Sequence, residues 1–227
     1  MIGDPVALTV RRNIERPSKI IMKAFAGMPT GFVTDAYNGK GCLDYAIKPL
    51  LPTMSFSGSA ITAYCGPMDN LAAMAILDFA KKGDVIVIAT TGDDTAATIG
   101  DLWAIWAKKL GVVAIICDGL VRDVSGLLKV DIPVFARGIK PNSAFKNGPG
   151  EINTTVTCGG VAISAGDIIV GDRVGVVAIP LAEAADVVER LELVKKKEAE
   201  AEAKVKKGVK LKFWDPEALG SRLHYID

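Results

Sequence analysis

Histidine is nearly absent from this sequence, and its scarcity excludes two large classes of active site. The 227 residues contain one histidine, His224, close to the C-terminal end. Histidine-dependent catalytic triads and histidine-rich zinc sites both need an imidazole inside the site. We therefore expect neither arrangement in this protein.

An excess of either charge is also missing. The chain has 27 Lys and Arg residues against 26 Asp and Glu residues, a formal net charge of +1. Binding to nucleic acid or to an anionic membrane surface usually relies on concentrated positive charge, so we expect neither partner. No apolar run is long enough to span a bilayer. Because residues 1–5 also lack the charged head and apolar core of a signal peptide, we expect a cytoplasmic protein.

Aromatic residues are few and cysteines are widely spaced. Aromatic residues make up 6% of the chain, which also contains 23 glycines, a composition that suits a compact α/β protein with many tight turns. No two cysteines form the C-x-x-C pair typical of metal sites. We interpret all four as reduced, structural cysteines of a cytosolic protein: Cys42, Cys65, Cys117 and Cys158.

Residues 84–117 show the clearest secondary-structure pattern. The stretch Asp84–Ala89 is rich in β-branched residues and predicts a strand covered on both faces. A loop over residues 90–98 follows, and residues 112–117 predict a second buried strand. Between the loop and that strand, apolar residues recur at helical spacing: Leu102, Ile105, Trp106 and Leu110. The pattern predicts a strand–helix–strand unit with parallel strands.

Several other elements are predicted from local signals. Apolar residues at 20–25 favour a short helix, and Thr34 or Asp35 is suited to begin a second one. Residues 67–82 favour a longer helix that begins at Pro67. Between residues 155 and 180, Gly-rich breaks separate short β-rich segments, which predicts several short strands and hairpins.

The C-terminal part of the chain predicts a long helix whose apolar face ends partway along. Leu181, Val188 and Val194 fall on one helical face, whereas residues 195–204 are polar all round. A helix without an apolar stripe is a solvated face or lies against a neighbouring subunit. We divide the chain into a single α/β domain over residues 1–194 and a C-terminal helical arm and tail over residues 195–227.

The helix that begins near Gly100 predicts a binding site for a small anion. Ligands of open α/β sheets collect beyond the carboxyl ends of the strands, where this helix starts. Its first free amides, those of Leu102 and Trp103, suit a carboxylate or phosphate, and Gly100 permits close approach to the backbone.

Three charged side chains extend this predicted site. Arg122 offers a forked donor suited to a carboxylate. Asp101 and Asp123 offer hard oxygen ligands, which favour Mg²⁺ or Mn²⁺ over zinc. Alternatives remain open, because Asp101 also suits the helix dipole and Arg122-Asp123 also suits an exposed turn. The pair Asp118-Gly119 is an ordinary turn signal.

Several short motifs, taken in order along the chain, resemble the RraA-like family. Twenty residues, 102–121, separate Asp101 from Arg122-Asp123. The other matching motifs lie within residues 30–208: Thr34-Asp35-Ala36, Gly58-Ser59-Ala60-Ile61-Thr62, Cys117-Asp118-Gly119-Leu120-Val121, Pro133-Val134-Phe135-Ala136-Arg137-Gly138, Cys158-Gly159-Gly160-Val161, Gly166-Asp167 and Gly175-Val176-Val177. The family includes the class II 4-hydroxy-4-methyl-2-oxoglutarate/4-carboxy-4-hydroxy-2-oxoadipate aldolases.

The resemblance implies a swivelling β/β/α fold, here with a long C-terminal helical arm, assembled as a homotrimer or homohexamer. It implies a Mg²⁺- or Mn²⁺-dependent lyase that cleaves 4-hydroxy-2-oxo acids to pyruvate and decarboxylates oxaloacetate. If the family's roles apply to this chain, Asp123 would hold the metal and Asp101 would position metal-bound water. Arg122 would bind the 2-oxo acid and stabilise the pyruvate enolate. The Leu102 and Trp103 amides would bind the carboxylate of the 2-oxo acid.

The resemblance also implies a carboxylate from a neighbouring subunit. Glu198 on the C-terminal helix is the best match for it, and Glu202 is the second. Trp103 is bulkier than the small aliphatic residue expected there, which predicts a reshaped pocket.

Two other functions compete with the aldolase. One branch of the family binds and inhibits an RNA-degrading endonuclease without catalysing a reaction, and it lacks the full set of metal residues. The presence of Asp101, Arg122 and Asp123 favours the enzyme. A methyltransferase is disfavoured, because no Gly-rich strand–loop–helix suited to S-adenosylmethionine occurs in the sequence.

Overall fold

The structure, a computed structural model, describes residues 5–226. Twelve strands occur in chain order: β1 (Leu8–Val10), β2 (Lys48–Pro49), β3 (Phe56–Cys65), β4 (Asp84–Ala89), β5 (Ala97–Ile99), β6 (Ala114–Val121), β7 (Val134–Ile139), β8 (Gly150–Ile152), β9 (Val156–Cys158), β10 (Val161–Ile163), β11 (Ile168–Gly171) and β12 (Val176–Ile179). The helices are α1 (Lys19–Phe25), α2 (Thr30–Ala36), α3 (Leu71–Ala75), α4 (Asp101–Lys109), α5 (Val124–Val130), α6 (Ala184–Lys206) and α7 (Pro216–Leu219). Three short 3-10 segments complete the list: Ile76–Phe79, Leu181–Glu183 and Gly220–Arg222.

Ten of the strands form one sheet, and four of these are parallel neighbours. The sheet has the order β1-β8-β3-β4-β6-β7-β2, with β5 beside β6 and the β11–β12 pair beside β3. Strands β3, β4, β6 and β7 run parallel, so their carboxyl ends meet at one edge. Between β4 and β6 the chain passes through the short strand β5 and then helix α4. The predicted strand–helix–strand unit is therefore confirmed.

Helices cover one face of this sheet and short strands cover the other. Helices α3, α4 and α5 bury Ala72, Ala104 and Leu127 against the first face. The β9–β10 hairpin buries Val156 and Cys158 against the second face. A third core lies between β11–β12 and helices α1, α2 and α6. This mixed α/β architecture with a long C-terminal helix confirms the predicted fold class.

The prediction that Thr34 or Asp35 begins a helix is wrong. Helix α2 begins at Thr30, and the two residues lie in its last turn. The Thr30 amide and hydroxyl donate to the Asp172 carboxylate at 2.9 and 2.8 Å. Burial raises the pKa of Asp172, but hydrogen bonds from Thr30 and Val174 outweigh burial and hold that pKa below its usual value. The helix cap thus comes from a residue distant in sequence.

The helix predicted over residues 67–82 is much shorter in the structure. Helix α3 covers only Leu71–Ala75, and a 3-10 segment, Ile76–Phe79, follows it. Met68 adopts a positive φ of 54°, which a continuing right-handed helix does not allow. Residues 67–70 therefore form a turn ahead of the helix, and this turn places Asn70 beside the strands.

The apolar stripe that predicted helix α4 is largely exposed. Leu102 is 79% exposed and Trp106 53%, whereas Trp103, Ala104 and Ala107 are buried. The two alanines allow the helix to pack closely on the sheet beside Trp103, whereas Leu102, Ile105 and Trp106 point outward. An apolar stripe consequently lies on the surface of the described chain, beside the carboxyl ends of the strands.

Strand β6 is longer than predicted and contains the expected turn signal. It continues to Val121, with a shift of register between Cys117 and Leu120. Asp118 is buried, and its carboxylate accepts hydrogen bonds from the Thr90 amide at 2.6 Å and the Gly159 amide at 3.3 Å. Asp118-Gly119 is therefore part of a bulged strand that ties neighbouring loops together.

Helix α6 runs without a break across residue 194. Val187 and Leu191 pack in the third core, and residues 196–200 are exposed. The division into a domain over 1–194 and an arm over 195–227 remains a prediction. Within residues 5–226, the helices are too short or too polar to cross a membrane.

Thiol reactivity tests the interpretation of the cysteines as structural. All four are free; Cys42 is exposed and the other three are buried. Burial raises the pKa of Cys65 and Cys117 to about 12 and also raises the pKa of Cys158. We expect a thiol reagent at pH 8 to modify Cys42 alone in the native protein and all four cysteines after denaturation. Rapid modification of a second native thiol would contradict this assignment.

Candidate active site

A cavity of about 440 Å³ opens at the start of helix α4. Its lining includes six of the residues predicted from sequence: Gly100, Asp101, Leu102, Trp103, Arg122 and Asp123. The turn before α4 and the turn after β6 therefore meet, as the parallel strands require. Polar side chains that the sequence did not single out also line the cavity: Asn70, Ser143 and Lys146.

Asp123 lies directly over Gly100. A Cβ atom at Gly100 would overlap Asp123 Oδ2 and would lie 3.3 Å from Arg122 Cγ. Asp123 also precedes α5 in the N-cap position with φ 55° and ψ 41°, a left-handed conformation that aspartate tolerates better than most residues. The glycine thus makes room for a carboxylate that a tight turn directs toward α4.

Asp101 occupies the reciprocal position over α5. A Cβ atom at Gly126 would overlap Asp101 Oδ2 and lie 2.6 Å from Asp101 Cγ. The other oxygen, Oδ1, accepts a hydrogen bond from the Leu102 amide at 2.7 Å. Each aspartate therefore fits against a glycine of the opposite segment, and the two helix starts interlock.

Substitution of Gly126 tests this interlock. We expect Gly126→Ala to lower the free energy of unfolding by about 1–3 kcal/mol, because the added methyl group displaces Asp101. Gly31 is the matched control: it lies near the start of α2, also seven residues long, and a Cβ atom there meets nothing within 4 Å. Gly31→Ala should stabilise the protein by about 0.5–1 kcal/mol through helix propensity. Equal changes in a urea titration would contradict the interlock.

Arg122 is held at the mouth of the cavity by two contacts. Its Nε lies 3.1 Å from Asp123 Oδ2, and its Nη1 donates to Ser143 Oγ. The side chain is 39% exposed. A guanidinium carries five N–H donors, so these contacts leave donors for a ligand while they fix the orientation of the group.

The amides at the start of α4 are not equivalent. The first amides of a helix have no acceptor within the helix. That of Leu102 already donates to Asp101, which leaves the Trp103 amide as the better donor for a ligand. The Trp103 indole is 9% exposed and donates to the Ala73 carbonyl at 2.8 Å, so its bulk joins α4 to α3 and forms part of the wall.

The wall that carries Ser143 and Lys146 is anchored by a buried aspartate. Asp69 is 6% exposed, and its Oδ2 accepts from the Asn147 and Gly148 amides at 2.6 and 2.9 Å. Residues 143–146 lie about 20 positions from Arg122 in sequence, in a Gly- and Pro-containing loop without helical or strand periodicity. No local signal identified them in advance.

Glu198 and Glu202 are not part of this cavity. Both lie on α6, which packs against α1 and α2, away from the cavity lining. Glu198 is exposed, and Glu202 pairs with Lys206 of its own helix at 2.6 Å. Residues 5–226 contain no group of three His, Cys, Asp or Glu side chains that could hold a metal. One chain thus supplies two cavity carboxylates, from Asp101 and Asp123.

Comparison with known proteins places these features in a family context. Residues 30–178 match the family model described as "RraA-like: Aldolase/RraA". A protein of Halalkalibacterium halodurans named "Putative 4-hydroxy-4-methyl-2-oxoglutarate aldolase" is 39% identical over 180 residues, which is 79% of this chain and 84% of that protein.

Two solved structures share the fold. An uncharacterized protein from Pseudomonas syringae has a TM-score of 0.77 at 23% identity, over 87% of this chain and 97% of that one. The RNA-processing inhibitor RraA from Thermus thermophilis has a TM-score of 0.62 at 25% identity, over 67% of this chain and 93% of that one. The fold is therefore shared with an RNA-processing inhibitor and with an uncharacterized protein.

Proposed function

This chain belongs to the RraA-like family, and from that premise we propose that it is a divalent-metal-dependent aldolase. The proposed reaction cleaves a 4-hydroxy-2-oxo acid to pyruvate and a second carbonyl compound, and oxaloacetate is decarboxylated at the same site. The observation that carries the proposal is the convergence of Asp101, Arg122 and Asp123 on one cavity. The name of the relative from Halalkalibacterium halodurans supports the same class of reaction.

The donor groups of the cavity suit Mg²⁺ or Mn²⁺. Both carboxylates present hard oxygen atoms, and small divalent cations of this kind are usually held by one or two carboxylates together with water. Asp123, whose carboxylate lies over Gly100, would be the direct ligand, and Asp101 would act through water. When bound, the ion would polarise the 2-oxo group of the substrate.

The pyruvate half of the substrate is bound by Arg122 and α4. A 2-oxo acid carries a carboxylate beside its oxo group, which suits the Trp103 amide and the positive end of the helix dipole. The contacts to Asp123 and Ser143 hold the Arg122 guanidinium in place before a substrate arrives. Binding therefore requires little reorganisation of these groups.

The same residues account for carbon–carbon cleavage. As the C3–C4 bond breaks, the C4 hydroxyl passes its proton to the water that Asp101 holds and becomes a carbonyl, and the electron pair of the bond forms the enolate of pyruvate. Arg122 faces this developing negative charge with a fixed positive group, which lowers the energy of the transition state. Asp101 holds the water that protonates C3 afterwards. Decarboxylation of oxaloacetate forms the same enolate.

Lys146 supports a substrate with a second negative group. It lines the same cavity as Arg122 and lies in the loop that Asp69 anchors. A dicarboxylic 4-hydroxy-2-oxo acid would therefore meet two cations in the cavity. Lys146 is exposed, so its contribution falls with salt concentration.

The competing function is inhibition of an RNA-degrading endonuclease. The Thermus neighbour is an RNA-processing inhibitor, and the exposed apolar stripe on α4 could contact a protein. A protein that only binds does not need two aspartates interlocked over two glycines around an arginine. We therefore favour the enzyme.

Pyruvate release tests the proposed function. Oxaloacetate and 4-hydroxy-4-methyl-2-oxoglutarate should each release pyruvate in the presence of Mg²⁺ or Mn²⁺, and EDTA should abolish the reaction. If pyruvate is released no faster than in metal-containing buffer without protein, the proposed enzymatic function is rejected. Inhibition of an RNA-degrading endonuclease in the same preparation would then support the alternative.

We also propose that the protein assembles as a homotrimer or homohexamer and that the metal site is completed by Glu198 of a second copy. The two carboxylates of one chain, and the absence of Glu198 from the cavity of its own chain, support this arrangement. Glu202 is the weaker candidate, since Lys206 already pairs with it.

Mixing two inactive variants tests a contribution across subunits. Arg122→Ala and Glu198→Ala should each be nearly inactive alone. After dissociation and reassembly together, some sites combine an intact Arg122 with an intact Glu198 from another copy, so we expect activity to return to about one quarter of wild type. Glu202→Ala is the control and should retain activity. A mixture that stays inactive, although size measurements show mixed oligomers, would contradict the shared site.

A further inference from the structure

The carboxylate that we propose as the direct metal ligand already has a cation beside it. Arg122 Nε lies 3.1 Å from Asp123 Oδ2. A Cβ atom at Gly100 would overlap this oxygen and would lie 3.4 Å from Arg122 Nε. The carboxylate and the guanidinium thus converge over the start of α4, and a metal ion bound to Asp123 Oδ2 would share that oxygen with Arg122.

The backbone on both sides holds this ion pair in place. The Arg122 amide donates to the Ile99 carbonyl at 3.0 Å, and Arg122 Nη1 donates to Ser143 Oγ. The Asp123 carbonyl accepts from the Leu127 amide at 2.9 Å in the first turn of α5. Because both residues are anchored in this way, the guanidinium cannot move far from the carboxylate without breaking its contact to Ser143.

A metal ion and the guanidinium would therefore be close neighbours. Mg²⁺ binds its oxygen ligands at about 2.1 Å. An ion on Asp123 Oδ2 would then lie within about 5 Å of Arg122 Nε, since that nitrogen is 3.1 Å from the same oxygen. At this separation a divalent ion and a guanidinium repel each other appreciably even in a water-like dielectric.

Arg122 could act on a metal in two opposite ways. As a positioning group it would orient the Asp123 carboxylate and raise the affinity for metal, whereas as a neighbouring cation it would lower that affinity. The left-handed backbone of Asp123 and the space at Gly100 already determine where the carboxylate lies. The carboxylate therefore does not need Arg122 for its position, and the repulsion between the cations decides the sign.

We propose that Arg122 opposes metal binding at Asp123 in the free protein, and that the carboxylate of a 2-oxo acid relieves this opposition by neutralising the guanidinium. The proposal rests on the proposed function and adds a coupling between its two ligands. A 2-oxo acid bound beside Arg122 raises the affinity for metal. By thermodynamic linkage, metal raises the affinity for the 2-oxo acid by the same factor. The site thus holds metal most tightly when substrate is present.

Calorimetric titration with Mn²⁺, in the absence of any 2-oxo acid, tests the opposition without a catalytic step. We expect Arg122→Ala and Arg122→Gln to bind Mn²⁺ about 5- to 20-fold more tightly than wild type, the effect of removing one charge at about 5 Å in a water-like medium. Arg122→Lys keeps the charge and should bind Mn²⁺ about as wild type does. The gain should shrink at high salt, because salt screens the repulsion.

Two further variants show whether the gain arises at Asp123. Lys108→Ala removes a cation that pairs with Asp131 at 3.5 Å, at the other end of α5 and outside the cavity. It changes the net charge by the same amount as Arg122→Ala and should leave the affinity for Mn²⁺ unchanged. Adding Asp123→Asn to Arg122→Ala should abolish the tighter binding.

Pyruvate is the probe for the second half of the proposal. Titrations at saturating pyruvate should show tighter Mn²⁺ binding in wild type than titrations without it. The increase should be smaller in Arg122→Gln, because that variant has no guanidinium to neutralise. An equal increase in both proteins would mean that pyruvate acts on the metal directly and not through Arg122.

The sign of the change in affinity decides the proposal. Equal or weaker Mn²⁺ binding by both Arg122→Ala and Arg122→Gln would overturn it, and weaker binding would show that Arg122 positions the carboxylate. Tighter binding by the alanine variant alone would also overturn it, because glutamine removes the same charge. Mn²⁺ binding by none of the proteins would reject the metal-dependent function itself. Tighter binding by the variants without pyruvate release by wild type would reject the aldolase and support the opposition.

Discussion

Replacing Arg122 by alanine is expected to slow pyruvate release by about 10²- to 10³-fold, the loss typical of a preorganised charge that faces a developing anion. The substitution removes the guanidinium that Asp123 and Ser143 hold at the cavity. Both members of the Arg122–Asp123 pair are more than a third exposed, and such surface pairs contribute less than about 1 kcal/mol to stability. The variant should therefore fold normally.

Arg122→Lys separates the charge of this residue from its shape. Lysine keeps the positive charge but cannot offer a fork of parallel donors. We expect it to recover part of the activity lost in Arg122→Ala, mainly through kcat, while the melting temperature stays that of wild type. An alanine variant as active as wild type would remove Arg122 from the reaction.

Asp123→Asn is expected to abolish the stabilisation of the protein by metal. A ligand at 100 times its Kd adds about 2.7 kcal/mol to the free energy of unfolding. For a protein of this length that corresponds to a rise of about 5–10 °C in Tm. Asparagine fits the space over Gly100 but carries no negative charge, so the rise should disappear together with pyruvate release.

Asp131→Asn is the matched control for this experiment. Asp123 and Asp131 flank the two ends of α5, both with left-handed backbone, at φ 55° and 56°. The Asp131 side chain is 96% exposed and lies outside the cavity. Its substitution should leave the response of Tm to Mg²⁺ unchanged. A shift that persists in Asp123→Asn would show that metal binds elsewhere.

Local pattern sufficed where neighbouring residues alone determine the structure. Strand β4 occupies the predicted residues Asp84–Ala89, because a run of β-branched residues has few alternatives in a buried sheet. The start of α2 could not be predicted, since its cap is Asp172, 142 positions away. The buried face of α4 could not be predicted from its apolar stripe for a similar reason: the helix packs on the sheet through Trp103, Ala104 and Ala107 instead.

The candidate site also has one part that the sequence predicted and one part that it did not. Parallel strand topology was enough to bring Asp101 and Asp123 to one edge of the sheet. Asn70 and Lys146 enter the cavity through turns and a loop whose positions depend on Asp69 and Met68, and no periodic signal marks them. The sequence therefore predicted the pyruvate half of the proposed site, and the structure was needed for the half that contacts the rest of the substrate.

Exchange of the methyl hydrogens of pyruvate in D₂O tests enolate formation without any cleavage step. Proton NMR of pyruvate with wild-type protein and Mg²⁺ should show loss of the methyl signal far faster than in buffer that contains Mg²⁺ alone. EDTA, Arg122→Ala and Asp123→Asn should each reduce the exchange to the rate of the buffer. Exchange by wild type no faster than the buffer, with the protein folded and the metal present, would contradict a site that stabilises the pyruvate enolate.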